Sequence, residues 1–285
     1  MGIKFQDVKY IYQGASKKDR TVALENINLD INEKDEIIAI CGKTGSGKTT
    51  LIQHLNALLL PTEGSVTIFN QKIVRKNKLP LTPIRKKVGF VFQFPEYQLF
   101  EETVLKDIAF APKNFGLSEE EAIKKAKEMC DLVGIKEDIL DKSPLNLSGG
   151  QMRKVAIAGI LAYEPDILVL DEPTRGLDPI TAKEVMDMFL SIHKEKHKTI
   201  ILISHDMDLV YKYATRVVVM KDSHLVYDGS KEDLFKNETY QEYHLEKPTI
   251  LKTIDYLNDK LGYNISYNHY DIDDLYDKLL EVDYE

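Results

Sequence analysis

Between Ile3 and Ile31 the apolar side chains fall on alternate positions, first Ile3 and Phe5, then Val8, Tyr10 and Tyr12, then Ile27, Leu29 and Ile31. A period of two buries one face of a strand and wets the other, so the pattern predicts antiparallel strands joined by a polar turn over residues 14–20. The rhythm then changes. Ile37–Cys41 is apolar throughout, the mark of a strand covered on both faces, and it runs into glycines and a helical pattern over residues 48–60. A strand follows at residues 88–92, and Ser118-Glu119-Glu120-Glu121 is a capping box that opens a helix through about Val133, within a middle third that reads as helical over about residues 94–160. Strands and helices then alternate: helix 149–163, strand 167–170, helix 179–193, strand 199–204, helix 207–213, and strands around Val217 and Val226. Parallel strands need crossovers, and these helices supply them, so the fold class is α/β.

Beyond about Asn237 the composition shifts towards Tyr, Asn and Asp, and Pro248 precedes an amphipathic helix carrying Ile250, Leu251, Ile254, Leu257 and Leu261 before Gly262. A second helix follows with Ile272, Leu275, Leu279 and Leu280. The reading divides the chain into a main domain over 1–237 and a helical appendage over 238–285, either a stabilising tail or a dimerisation surface. With 285 residues of which 43% are hydrophobic, one substantial core and a small addition are within reach. The net charge of −8 argues against nucleic acid as a partner, because holding a phosphate backbone rests on clustered Lys and Arg. The two cysteines, Cys41 and Cys130, have no CxxC or His neighbour and read as small buried hydrophobes. No secretory signal opens the chain and no apolar run approaches the ~20 residues of a membrane span, so the chain is expected in the cytoplasm or held at a membrane by a partner.

The chemistry is concentrated at strand ends. Gly42, Lys43, Thr44, Gly45, Ser46, Gly47, Lys48 and Thr49 follow the Ile37–Cys41 strand and open a helix that continues with Thr50. The glycines let backbone N–H groups curl around phosphates, the helix N-terminus adds its positive end, Lys48 suits the β- and γ-phosphates, and the Thr49 hydroxyl suits Mg²⁺. The strand at 167–170 delivers Asp171 and Glu172 to the edge where open α/β sheets bind ligands. Asp171 is placed to hold Mg²⁺ beside Thr49, and Glu172 to face an attacking water as base. Leu147-Ser148-Gly149-Gly150-Gln151 precedes another helix and forms a second phosphate cradle; such a pentapeptide is expected by chance in only about a few chains per ten thousand. One chain has little use for two cradles unless two chains face each other.

With these motifs in place, residues 3–236 resemble the ATP-binding subunits of ABC transporters, a group of P-loop NTPases. The motifs occur in that family's order: the phosphate loop, Gln93 after a strand, the signature at 147–151, the Asp171-Glu172 pair, Gly176-Leu177-Asp178, and His205 after the Ile201-Leu202-Ile203-Ser204 strand. The resemblance implies that two subunits pack head to tail, each ATP lying between one chain's residues 42–49 and the other's Ser148, Gly149, Gly150 and Gln151. It also implies that Tyr12 stacks on adenine, with Tyr10 a competing stacker. Gln93 would sense Mg²⁺ and water, and His205 would contact the γ-phosphate. Asp178 would bridge the dimer interface or, on the plainer alternative, cap the helix that begins at Pro179. The family often has a small residue where this chain has Arg175.

The stretch 93–104, Gln-Phe-Pro-Glu-Tyr-Gln-Leu-Phe-Glu-Glu-Thr-Val, with Gln151-Met152-Arg153-Lys154-Val155 after the signature, is similar to the second ATPase subunit of energy-coupling factor transporters. That resemblance implies a heterodimer with a homologous ATPase, a transmembrane coupling subunit and a separate substrate-binding membrane subunit for vitamins or transition-metal ions. It places the chain peripherally on the cytoplasmic face of the membrane. Glu96, Glu101 and Glu102 suggest a socket for arginine-bearing helices of the coupling subunit. An ATPase of another importer class shares every core motif, and a non-transport ABC ATPase is a more distant alternative, for which this chain lacks the long heptad runs and a second phosphate loop.

Overall fold

The computed structural model describes residues 2–14, 19–33, 35–236, 239–268 and 271–282. β1 (Ile3–Gln13) and β2 (Arg20–Ile31) pair antiparallel with Phe5 opposite Leu29 and Val8 opposite Ile27. Residues 15–18 of the expected turn lie outside the described residues, and on either side of them the Gly14 N–H donates to the Asp19 carbonyl at 2.6 Å. β3 (Ile37–Cys41) leaves for a second sheet, while β4 (Glu63–Ile68) and β5 (Gln71–Ile73) complete the first in the order β2-β1-β4-β5. The second sheet adds β6 (Val88–Val91), β7 (Ile167–Asp171), β8 (Thr199–Ile203), β9 (Arg216–Lys221) and β10 (His224–Ser230) in the order β10-β9-β3-β8-β7-β6. Its pairs are parallel except β10 on β9, so β3, β8 and β7 present their C-terminal ends along one edge.

The helices are α1 (Lys48–Leu55), α2 (Thr82–Lys87), α3 (Val104–Asn114), α4 (Glu119–Val133), α5 (Gly149–Leu161), α6 (Pro179–Lys196), α7 (Met207–Tyr213), α8 (Lys231–Lys236), α9 (Thr249–Leu261) and α10 (Ile272–Val282). β3, β6, β7, β8 and β9 are covered on both faces and carry no alternation, whereas the edge strand β10 alternates exposed and half-buried positions. Ile38, Ile40, Ile201 and Ile203 pack with α1 and the antiparallel sheet, whereas Leu168, Leu170, Ile200 and Leu202 pack with α5, α6 and the α3–α4 pair. Each such side chain contributes about 1.5–3 kcal/mol, so the strand ends are held on a stiff platform.

Some element ends differ from the sequence expectation. α1 stops at Leu55 rather than near residue 60, because Ala57 turns left-handed at φ 54° and the Asn56 carboxamide oxygen accepts from the Leu58 N–H at 3.3 Å. α5 ends at Leu161, two residues early, and α6 runs to Lys196, three residues late. The capping box of α4 forms: Ser118 Oγ accepts from the Glu121 N–H, and Glu121 Oε2 accepts from the Ser118 N–H.

The boundary expected near Asn237 lies outside the described residues. Beyond it, Ile250, Leu251 and Ile254 of α9 and Leu275 of α10 share one apolar cluster with Met207, Val210 and Tyr211 of α7, Val217 and Val219 of β9, and Ala39 and Cys41 of β3. Three polar ties run from α7 to the same region: Asp208 accepts from the N–H and hydroxyl of Thr249, Tyr211 OH donates to the Tyr267 carbonyl at 2.7 Å, and Lys212 pairs with Asp271 at 3.0 Å. Leu261, Ile272 and Leu280, expected on the apolar faces, are exposed. Both cysteines are buried and free, and burial pushes the Cys41 thiol up to about 12 and the Cys130 thiol up to about 11.

Candidate nucleotide site

Residues 42–49 wrap the junction of β3 and α1. Gly42 has φ 133° and Gly47 φ 105°, and a Cβ at either would meet a backbone oxygen, Met220 O at 2.1 Å or Ala23 O at 2.3 Å. Only glycine fits both positions, which fixes the loop tightly against β2 and β9. The buried Lys48 ammonium donates to the Gly42 and Lys43 carbonyls at 2.7 and 2.9 Å. Burial draws it below the usual lysine range, against the opposing pull of Cys41, Glu172 and Asp171. The Ser46 hydroxyl is one of two buried side-chain polar atoms without a hydrogen-bond partner among the described residues, the other being His54 Nε2. A donor held so inside a glycine loop at a helix N-terminus fits a phosphate oxygen.

Beside the loop lies a cleft of about 910 Å³ lined by Tyr12, Thr44, Gly45, Gly47, Lys48, Thr49, Thr50, Gln93, Asp171, Glu172 and His205. The fold thus brings the predicted loop, carboxylates, glutamine and histidine together from four strand ends. Asp171 ends β7; burial above all, and then the Glu172 charge, raise its carboxyl to about 6 against the lowering effect of Lys48. Glu172 follows in the left-handed region at φ 48°, its N–H donating to the Ile203 carbonyl at 3.0 Å. Its carboxylate is gripped on both oxygens. Gln93 Nε2 and Arg175 Nη1 reach Oε2 at 3.2 and 2.6 Å, and His205 Nε2 lies 3.2 Å from Oε1. Burial, seconded by the Lys48 charge, keeps the His205 imidazole below the usual histidine value and so neutral at pH 7.

Tyr12 lines the cleft 43% exposed and shares a 3.2 Å hydrogen bond with the Thr50 hydroxyl. Tyr10, the competing aromatic, stands edge-on to Tyr12 and to the buried His54, and is absent from the cleft wall. Ser148, Gly149, Gly150, Gln151 and Asp178 are not brought to this cleft. Ser148 caps α5, accepting from the Gln151 N–H, and Gln151 Oε1 accepts from the Ser148 N–H at 3.1 Å. Ser148, Gly149, Gly150 and Gln151 are exposed, and a Cβ on Gly149 or Gly150 would meet nothing within 4 Å. Their lack of side chains serves no packing within this chain.

A family profile described as ABC transporter matches residues 24–175. The energy-coupling factor transporter ATP-binding protein EcfA2 of Enterococcus faecalis is 50% identical over 283 residues, covering 99% of this chain and 97% of that protein. The chain belongs to the ABC transporter ATP-binding family. Its EcfA2 relative from Geobacillus kaustophilus is 51% identical over 238 residues, 83% of this chain and 81% of that one. Among solved structures, cbiO1 of Clostridium perfringens, part of the ABC transporter complex cbiONQ, superposes with a TM-score of 0.72 at 34% identity over 91% of this chain and 95% of that one. The dimeric cassette MJ0796 in a post-hydrolysis state with ADP and Pi gives 0.71 at 33% identity over 80% and 98%. As an ABC ATPase the chain binds and hydrolyses ATP.

Within that ABC framework the exposed Asp178 carboxylate caps α6 in the single chain, accepting from the Ile180 and Thr181 N–H groups and the Thr181 hydroxyl at 3.1, 3.1 and 2.6 Å. One expectation changes. Glu96 is no open socket ligand, because the Arg153 guanidinium holds it at 3.2 and 3.3 Å inside the protein, leaving Glu101 and Glu102 on the surface, with Glu102 already paired to Lys106. Two contributions escaped the sequence reading. Thr21, Val22 and Ala23 of β2 form the cleft wall near Tyr12, and Arg175 sits on Glu172. A residue's departure from its family's habit, noted at Arg175, was the signal available. Among the described residues no helix is long and apolar enough to cross a membrane.

Proposed function

We propose that this chain is the ATP-hydrolysing motor subunit of an energy-coupling factor importer, working in a pair with a second, homologous ATPase. The observation that carries the pairing is the position of the signature: its capped helix end and bare glycines face outward, apart from the cleft, where a second chain's triphosphate can approach. Residues 42–50 hold one ATP, Tyr12 offers its exposed ring to the adenine, and Ser148, Gly149, Gly150 and Gln151 close over the ATP of the partner. Asp178, exposed at the start of α6, stands on the side that meets the partner.

Thr49, Asp171 and Gln93 line one cleft and supply a hydroxyl, a carboxylate and an amide oxygen, a donor set that fits Mg²⁺ completed by phosphate oxygens and water. A Mg²⁺ held by these residues would supply positive charge to the triphosphate. Glu172 accepts a proton from water as the water oxygen bonds to γ-phosphorus and the bond to the bridging oxygen of ADP breaks. Gln93 and the neutral His205, both within hydrogen-bond reach of Glu172, orient carboxylate and water; His205 also meets the γ-phosphate.

The membrane partner docks beside Gln93. Phe94, Tyr97 and Phe100 are exposed there, Tyr97 by 84%, next to Glu101 and Glu102, which suits an amphipathic basic helix of a transmembrane coupling subunit. A separate substrate-binding membrane subunit then selects the vitamin or transition-metal ion, and the motor sits peripherally on the cytoplasmic face. Hydrolysis and product release reopen the pair and the membrane helices follow. Glu172→Gln is expected to bind ATP, slow turnover by on the order of 100-fold or more and accumulate closed ATPase pairs in size-exclusion chromatography with ATP and Mg²⁺. Near-normal turnover by that variant removes Glu172 from the role.

A further inference from the structure

Arg153 lies on α5 directly behind the signature, is 4% exposed, and lines no part of the nucleotide cleft. Its guanidinium nevertheless joins three segments distant in sequence. Nε and Nη2 donate to the two carboxylate oxygens of Glu96 at 3.2 and 3.3 Å, Nη2 also to the Gln93 carbonyl at 3.4 Å, and Nη1 to the Arg175 carbonyl at 3.1 Å. The two residues whose backbones it fixes are the two whose side chains grip Glu172 Oε2. The Arg175 N–H also donates to the Glu172 carbonyl at 3.1 Å, closing the turn that holds Glu172 left-handed. A buried arginine fork is rigid, planar and fully charged, so it transmits displacement between the groups it holds better than a flexible ammonium would.

Resting on the motor reading above, we infer that Arg153 is a positioning residue for the hydrolytic carboxylate. It acts through Gln93 and Arg175, and Glu96 is its input from the segment that carries the exposed Phe94 and Tyr97. A partner that shifts this segment moves Glu96 and the Gln93 backbone together. Arg153 passes that movement to Arg175, and so to the orientation of Glu172. The same guanidinium ties the outward-facing signature helix to the movement, so docking and catalysis share one joint.

The test is steady-state ATP hydrolysis by the full chain co-purified with its ATPase and membrane partners, wild-type against Arg153→Lys, Arg175→Ala and the double variant. Arg153→Lys keeps the charge and loses the fork; kcat is expected to fall by on the order of 10- to 100-fold, with the KM for ATP within about twofold. Because both variants act on one carboxylate, the double variant is expected to lose much less than the product of the two single losses. Glu96→Gln, which retains the side chain's shape, is expected to lower kcat in the same direction and serves if Arg153→Lys assembles poorly. Losses that multiply, a raised KM with unchanged kcat, or an unchanged kcat in both Arg153→Lys and Glu96→Gln would each overturn the inference. Normal turnover in Glu172→Gln would instead remove the motor reading beneath it, so the two failures are separable.

Discussion

Asp171 is held at a buried strand end next to a second carboxylate, and its carboxyl is raised to about 6 from an ordinary 3.8. Between those two values the folded chain binds more protons than the unfolded one, so stability falls as pH rises through that window and the full cost is present at pH 7. Removing the charge should therefore stabilise the protein even as it alters the proposed Mg²⁺ site. Asp171→Asn is expected to raise the unfolding free energy at pH 7, without nucleotide, by on the order of 2 kcal/mol, and to give no gain below about pH 4. Thermal unfolding at the two pH values checks this, and a destabilised Asn variant at pH 7 would refute it.

Two helices of this protein begin with the same local device and different duties. Ser118 with Glu121 and Ser148 with Gln151 are both reciprocal capping boxes. Losing a serine cap costs about 1 kcal/mol, so Ser118→Ala and Ser148→Ala are expected to lower stability alike. Only Ser148→Ala is expected to slow ATP turnover in the assembled pair, which parallel denaturation and hydrolysis assays separate. The box at 118 was legible because four residues suffice to define it, and the five-residue strands β3, β7 and β8 were legible because burial on both faces leaves an unbroken apolar run. β4, β5 and α2 left no such trace: at three to six residues they are too short to establish a period, and they are held by pairing with β1 and by the core. The site divides the same way. The loop, the carboxylates and the histidine are contiguous motifs at strand ends, whereas the grip of Gln93 and Arg175 on Glu172 and the fork of Arg153 join residues as far as 79 positions apart. Asp178 shows the limit within a motif, since one carboxylate suits a helix cap and a partner equally and only the fold displays which donors it meets.

At the scale of the molecule, the C-terminal helices are fastened to α7, whose first residue is two positions beyond His205. The apolar cluster carries most of that attachment, and the Asp208–Thr249 contacts stand in for the side-chain cap that Pro248 cannot give α9. Asp208→Ala is expected to speed amide hydrogen exchange across α9 by about tenfold and leave β3 and β8 protected, since local openings draw on the weaker attachments first. Equal acceleration in the central strands would mean instead that the whole fold had been weakened.

The interior position of both thiols has a practical side. With two cysteines in all, each buried and strongly disfavoured as a thiolate, the native protein is close to silent towards maleimides and nitroxide reagents. A single cysteine introduced near the exposed signature would be the lone reactive handle, and spin-label distances to a marked companion could follow the seam opening and closing through turnover without first stripping the wild-type background.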